Sequence, residues 1–268
     1  MADNCSEIMQ KPPFAYYGGK QLLAKRIINL IPKHTTYVEP FVGGAAVFFA
    51  KEQSEVEIIN DTNRELVNFY KILQDDFISL EKMIRISLHS RDLHRKAYVI
   101  YNNPDMFSDL KRAWAVYILS TQGFAGMISN SWGYDKKANK TVKTINNRKA
   151  RFTEDYAIRM QNVQLECTDA LKVIKSRDYK DAFHYVDPPY YNSDMGHYDG
   201  YTIEDFDALL KVLENVEGKF ILSSYPSDIL KKYTQKNGWY QIEINQTVRV
   251  SSKNKQKTEV LTANYKIE

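Results

Sequence analysis

Apolar positions recur at helical spacing through 20–31 (KQLLAKRIINLI), and Pro32 closes the run. The period then shortens. Residues 36–40 (TYVEP) and 56–60 (VEIIN) read as strands, with a glycine turn feeding a helix at 41–48 (FVGGAAVF) between them. Asp61 ends the second strand, and Thr62 with Glu65 has the spacing of a capping box that opens a helix over 63–73. Strand, glycine turn, helix, strand, helix is the opening of a parallel α/β domain. The pattern changes after that: helical at 110–122, then a loop over 123–151 rich in Gly, Asn, Ser and Lys. Strand-like runs return at 163–167, 182–187, 219–225, 239–244 and 258–265, with a helix predicted over 203–216. The expectation is an α/β domain built from 1–75 and 163–268 and split by an insert, 76–162, of mainly helical and loop character.

The bulk numbers narrow the class. A chain of 268 residues suits one large domain with an insert, and 43% hydrophobic with 26% charged residues is ordinary globular usage. No apolar run is long enough to span a bilayer, and MADNCSEIMQKPP lacks the apolar core of a signal peptide, so a soluble intracellular (cytoplasmic) protein is expected. Cys5 and Cys167 are too few and too far apart for a disulfide framework, and the five histidines show no metal-ligand spacing, so no metal is expected. A net charge of +4 permits a nucleic-acid partner without requiring one.

Chemistry enters at two strand ends. Glu39 stands at the entrance of the turn that carries Gly43 and Gly44, where open α/β sheets bind ligands. Asp61 lies 18 residues after Gly43 (61 − 43), at the end of the next strand, where an acid accepts hydrogen bonds from a ribose. The turn is not GxGxxG, and a carboxylate beside a pyrophosphate would be repelled, which speaks against a nicotinamide-dependent oxidoreductase. A ligand with a ribose and a positive charge fits better, and S-adenosylmethionine has both. The plainer reading is a glycine turn needed only for packing. The second strand end is FHYVDPPYY, 183–191. Asp187 and the free carbonyl of Pro188 make two acceptors for one amino group, as on a nucleobase. Pro189 stiffens the turn and Tyr190 offers a ring for stacking.

YYGGK (16–20), EPFVGGAAVF (39–48), INDTN (59–63) and DPPY (187–190) occur in this order, and KFILSSY and TEVLTANY follow. The set resembles the Dam-like (D12 class, α-group) DNA adenine N6-methyltransferases over most of the chain outside the insert. The resemblance implies a Rossmann-like S-adenosylmethionine-dependent methyltransferase domain with an inserted DNA-recognition domain. It implies methyl transfer to the N6 amine of adenine, flipped out of double-stranded DNA. Tyr16, Lys20, Glu39, Phe41, Gly43, Asp61, Asp169 and Asp187 would then line the cofactor pocket. Asp187, Pro188, Pro189 and Tyr190 would hold the target base. An amine on cytosine N4 or on an RNA base, or an inactive DNA-binding homologue, remains the alternative. A cognate restriction endonuclease is a partner such enzymes can have, and a monomer is the default assembly.

The insert supplies the DNA reader in this resemblance. Lys136, Lys137, Lys140, Lys143, Arg148, Lys149 and Arg151 face one acid, Asp135, across 134–151. Phe124, Trp132, Tyr134 and Phe152 are aromatic neighbours able to fill the gap left by a flipped base. Met127, Ser129 and Asn130 lie in the same stretch, and Lys253, Lys255 and Lys257 form a second basic tip. GATC-specific members of the family carry a lysine shortly before GGK and an arginine in the loop that opens with an aromatic residue. Here the matching positions are Ala15 and Ser129. A different short target is expected, since Arg to guanine is the commonest specific base contact.

Overall fold

The computed structural model describes residues 10–192, 200–250 and 253–268, with side chains throughout except at 125 and 246–257. Seven strands form one sheet in the order β3-β2-β1-β4-β5-β7-β6. They are β1 (Thr36–Glu39), β2 (Val56–Asn60), β3 (Val163–Glu166), β4 (Ala182–Val186), β5 (Lys219–Ser224), β6 (Tyr240–Val250) and β7 (Lys253–Ala263). β1 pairs in parallel with β2 and with β4, and β4 with β5. β7 runs antiparallel to both β5 and β6. Every residue of β1 and β4 is buried, as parallel strands covered on both faces must be. This is the Rossmann-like α/β fold, with an antiparallel hairpin closing one edge.

The helices are α1 (Ala24–Leu30), α2 (Ala46–Ala50), α3 (Arg64–Asp75), α4 (Phe77–Ile86), α5 (Arg91–Asn102), α6 (Asp109–Gln122), α7 (Lys140–Arg151), α8 (Asp155–Met160), α9 (Ala170–Ser176), α10 (Ile203–Leu213) and α11 (Asp228–Asn237). Three local expectations need correction. The capping box at Thr62 and Glu65 does not form. Asn63 is the N-cap of α3, its side chain accepting from the Glu65 and Leu66 N–H groups, and the Glu65 carboxylate turns instead to Arg112. The loop over 123–151 contains a full helix, α7, and a short 3₁₀ turn at Phe124–Gly126. Residues 20–23 are a turn, so the first helix starts at Ala24. Cys5 and the residues between β6 and β7 lie outside the described residues, as do the side chains of Lys253, Lys255 and Lys257.

By contact density the chain forms two units. One comprises Met1–Ile28, Gly43–Gln53 and Asp61–Cys167; the other comprises Asn29–Val42, Ser54–Asn60 and Thr168–Glu268. In the first, Phe14 meets Phe69 edge-on at 4.8 Å, and Phe152 sits among Phe77, Tyr117 and Tyr156. In the second, Val186, Phe220 and Leu222 of the sheet pack with Phe206, Leu209 and Leu213 of α10. No helix among the described residues is long and apolar enough to cross a membrane.

Candidate active site

The strand order reverses between β1 and β4. Ligands of open α/β sheets bind outside the carboxyl ends of the strands at such a reversal. Two acids stand there. Glu39 is the last residue of β1, is buried, and accepts the Tyr37 hydroxyl proton at 2.7 Å. Asp187 is the first residue after β4, and Pro188 and Pro189 prevent the strand from continuing. Tyr190 folds back so that its hydroxyl lies 3.1 Å from Asp187 Oδ1, 3.0 Å from Ser223 Oγ on β5 and 2.6 Å from Glu259 Oε1 on β7. Ser223 Oγ also donates to Glu259 Oε1, at 2.7 Å. The Tyr190 ring meets Tyr225 edge-on at 4.4 Å. Burial, then the negative charge of Asp187 and Glu259, holds the Tyr190 phenol well above its ordinary pKa, so it is a neutral donor. Tyr185 is pushed up for the same reasons, with Asp187, Glu39 and Glu259 as its charged neighbours.

The other unit holds a second cluster around the glycine turn. Tyr16 to Gly19 is a turn closed by the Gly19 N–H donating to the Tyr16 carbonyl at 3.0 Å, with Gly18 at φ +74° where a side chain would be strained. This turn sets Tyr16 over Gly43 and Gly44. A Cβ at position 44 would stand 2.7 Å from Tyr16 Cβ, so only glycine fits. Gly43 (φ +47°) and Ala45 (φ +55°) both take left-handed backbone, and a strained non-glycine residue of this kind is characteristic of functional turns. Gly43 N–H donates to Asp61 Oδ2 at 3.0 Å, and Asn63 N–H donates to Asp61 Oδ1 at 2.9 Å. Asn63 Nδ2 in turn donates to the Tyr101 hydroxyl on α5 at 3.0 Å. Burial raises the Asp61 pKa, and the three backbone N–H groups of Asn63, Gly43 and Thr62 oppose it. Lys20 is buried and donates to the Gly18 carbonyl at 3.0 Å.

Of the remaining predicted residues, Phe41 is half-buried and packs against the α10 cluster. Asp169 is exposed and caps α9, accepting the Lys172 N–H at 3.0 Å. Four participants escaped sequence reasoning: Ser223 and Glu259 beside Tyr190, and Asn63 and Tyr101 beside Asp61. Asn63 closes the INDTN string, so its position carried a signal. The others are ordinary strand or helix residues by local pattern.

The predicted DNA-contact residues divide. Phe124 is 65% exposed on its 3₁₀ turn, whereas Met127 is only 8% exposed and its sulfur accepts from Asn130. Asn130 also donates to the Phe124 carbonyl, so both Met127 and Asn130 shape the turn. Ser129, Lys136, Lys137, Lys140 and Arg151 are exposed. Arg148 is half-buried, and burial lowers its pKa. Trp132 stacks between His89 at 4.6 Å and Tyr134 at 5.5 Å, with the Arg91 guanidinium over both rings. Phe152 is wholly buried in core, so it is unavailable to a flipped base's gap. Ala15 lies against the turn: a Cβ on Gly126 would stand 3.3 Å from Ala15 Cβ.

Each of the two clusters is built around carboxylates, Glu39 and Asp187 in one and Asp61 in the other. The chain is 26% identical to the Type II methyltransferase M1.LlaDCHI of Lactococcus lactis subsp. cremoris, with 97% of both chains covered. It is 25% identical to the Type II methyltransferase M.MjaIII of Methanocaldococcus jannaschii (83% of this chain, 87% of that one) and 27% identical to a DNA adenine methylase of Vibrio cholerae (76% of each). The model of the D12 class N6 adenine-specific DNA methyltransferases matches residues 16–265, nearly the whole chain, and the chain belongs to that family of enzymes.

Proposed function

We propose that the two clusters serve one reaction, transfer of a methyl group from S-adenosylmethionine to the N6 amine of an adenine flipped out of double-stranded DNA. The observation that carries this reading is Asp187: an acid at the end of β4, at the reversal of strand order, with Tyr190 folded back onto it at 3.1 Å. S-adenosylmethionine supplies a methyl group on a positively charged sulfur. Asp61 has two oxygens already ordered by backbone N–H groups, and its remaining lone pairs accept the ribose hydroxyls. Glu39, in a low-dielectric position, attracts the cationic part of the cofactor. Tyr16, Gly43 and Lys20 accompany Asp61, and Phe41 accompanies Glu39, as cofactor contacts.

Asp187 and the Pro188 carbonyl accept the two N–H bonds of the target amine. That amine is a poor nucleophile because its lone pair is delocalised into the ring, and a fixed pair of acceptors favours a pyramidal nitrogen. Positioning and preorganised electrostatics therefore supply most of the rate. Tyr190 stacks on the extruded base, and the rigid Pro188–Pro189 pair holds the geometry.

The insert, 76–162, reads the DNA in this account. Phe124, Ser129 and Trp132 present the contact surface, while Lys136, Lys137, Lys140, Arg148 and Arg151 neutralise phosphates. With Ala15 and Ser129 at the positions of the expected basic readers, the target differs from GATC. The relatives' names include both Type II methyltransferases and DNA adenine methylases, so the reading covers an enzyme paired with a restriction endonuclease and a stand-alone one alike. Incubation of the protein with unmethylated genomic DNA and labelled cofactor, followed by digestion to nucleosides, tests the product. Label in N6-methyladenine is expected; label in N4-methylcytosine, or label on RNA but not on DNA when RNA is supplied in a parallel reaction, would move the substrate. Sequencing of the same DNA is expected to show a site other than GATC, and modification confined to GATC would contradict that part.

A further inference from the structure

Tyr190 has one hydroxyl proton and three oxygens within reach of it. Glu259 Oε1 is nearest at 2.6 Å, Ser223 Oγ stands at 3.0 Å and Asp187 Oδ1 at 3.1 Å. A hydroxyl-to-carboxylate bond of 2.6 Å is in the charge-assisted range, so Glu259 takes the proton. The Ser223 hydroxyl donates to the same Glu259 oxygen at 2.7 Å, which fixes the carboxylate from a second side. Glu259 is 7% exposed and Ser223 fully buried, so water does not compete for these bonds.

We infer that Glu259 is a positioning residue for methyl transfer: it captures the Tyr190 proton, so that this proton is not directed at Asp187, and it anchors the ring from its hydroxyl end. The inference rests on the reading of Asp187 and Tyr190 given above. Two effects follow from losing the carboxylate. The Tyr190 proton turns to Asp187 Oδ1 and occupies acceptor capacity that the target amine needs. The ring is then held at its hydroxyl end by weaker partners, so the stacking plane is less fixed. Neither effect changes the bonds that order Asp61, so the main loss falls on transfer rather than on cofactor affinity. Glu259→Gln keeps the size and one acceptor oxygen but removes the charge and turns the other oxygen into an NH2 donor. Glu259→Ala removes the acceptor.

The test combines wild type, Glu259→Ala, Glu259→Gln, Tyr190→Phe and the double variant Glu259→Ala with Tyr190→Phe. Methylation rate on unmethylated genomic DNA and cofactor affinity by equilibrium binding are measured for each. Loss of a charge-assisted hydrogen bond in the site predicts a fall in rate of roughly 10- to 100-fold for Glu259→Ala, with cofactor affinity within about twofold. Glu259→Gln keeps the size of the side chain but not its charge, so the Tyr190 proton turns to the Asp187 carboxylate and the rate is expected to fall nearly as far as in Glu259→Ala, which a packing defect would not show. The double variant is expected to be no slower than Tyr190→Phe, because Glu259 acts through that hydroxyl. Full activity in Glu259→Ala, or losses that simply multiply in the double variant, overturns the inference while leaving the methyltransferase reading intact. A wild type that transfers no label to DNA overturns both.

Discussion

At the scale of single residues, the site is a matter of which proton each acid holds. Asp61 illustrates it. Its carboxylate accepts from Gly43 and Asn63 and, in the proposed complex, from the ribose hydroxyls. Burial raises its pKa above the ordinary 3.8. The neutral form has lost acceptor capacity, so cofactor affinity is expected to fall on acidification, beginning at a higher pH than an ordinary aspartate would dictate. The same raised pKa means that the folded state binds the proton more tightly than the unfolded chain. The Asp61 contribution to stability is therefore full below 3.8 and is lost as pH rises through the folded value. Cofactor titrations at a series of pH values, with Asp61→Asn alongside, check this. The variant is expected to bind weakly at every pH, without the acid-dependent step. A pH-independent affinity in wild type would contradict the role given to Asp61.

At the scale of elements, α6 is anchored to α3 by a buried ion pair. Arg112 of α6 grips Glu65 with two hydrogen bonds of 2.6 and 2.8 Å and reaches Asp109 at 2.8 Å, and both members of the Arg112–Glu65 pair are buried. Arg112→Met leaves Glu65 buried without its main counter-charge, at a cost of roughly 3–5 kcal/mol in urea denaturation. Replacing Glu65 by Leu in the same protein is expected to restore much of that loss, as the desolvated charge is then gone. Equal instability of the single and double variants would mean the pair is not what holds α3 to α6. The neighbouring bond from Asn63 to Tyr101 links α5 to the residue that orders Asp61, so α5 and Asp61 share one hydrogen-bonded chain.

This is also the scale at which the sequence was most and least legible. β1, β2 and β4 declared themselves because each is a short run rich in aromatic and β-branched residues that stops at an acid followed by proline or a helix cap. α7 did not: KTVKTINNRKAR buries only Ile145, so its apolar stripe is one residue wide and its polar residues resemble a loop. The capping error at Thr62 arose because two adjacent residues, Thr62 and Asn63, are both good caps. The deciding factor was tertiary: the buried Arg112 claims the Glu65 carboxylate that a capping box would have used.

At the scale of the whole molecule, a seven-stranded sheet presents Glu39 and Asp187 at the strand ends where the order reverses. Glu39 and Asp187 were legible because prolines follow both of them, at 40 and at 188–189. Glu259 was not, because KTEV reads as a polar strand edge, and only the pairing of β7 with β5 brings it to Tyr190. The central claim is that Asp187 acts on the target amine and is dispensable for folding. The most direct measurement compares wild type with Asp187→Ala for transfer of label from S-adenosylmethionine to adenine N6 in unmethylated DNA, with thermal unfolding and DNA binding measured on the same samples. The account predicts a folded, DNA-binding variant whose transfer is reduced by at least about 100-fold, as expected when a preorganised acceptor at the reacting atom is removed. Transfer at the wild-type rate in that variant would contradict it.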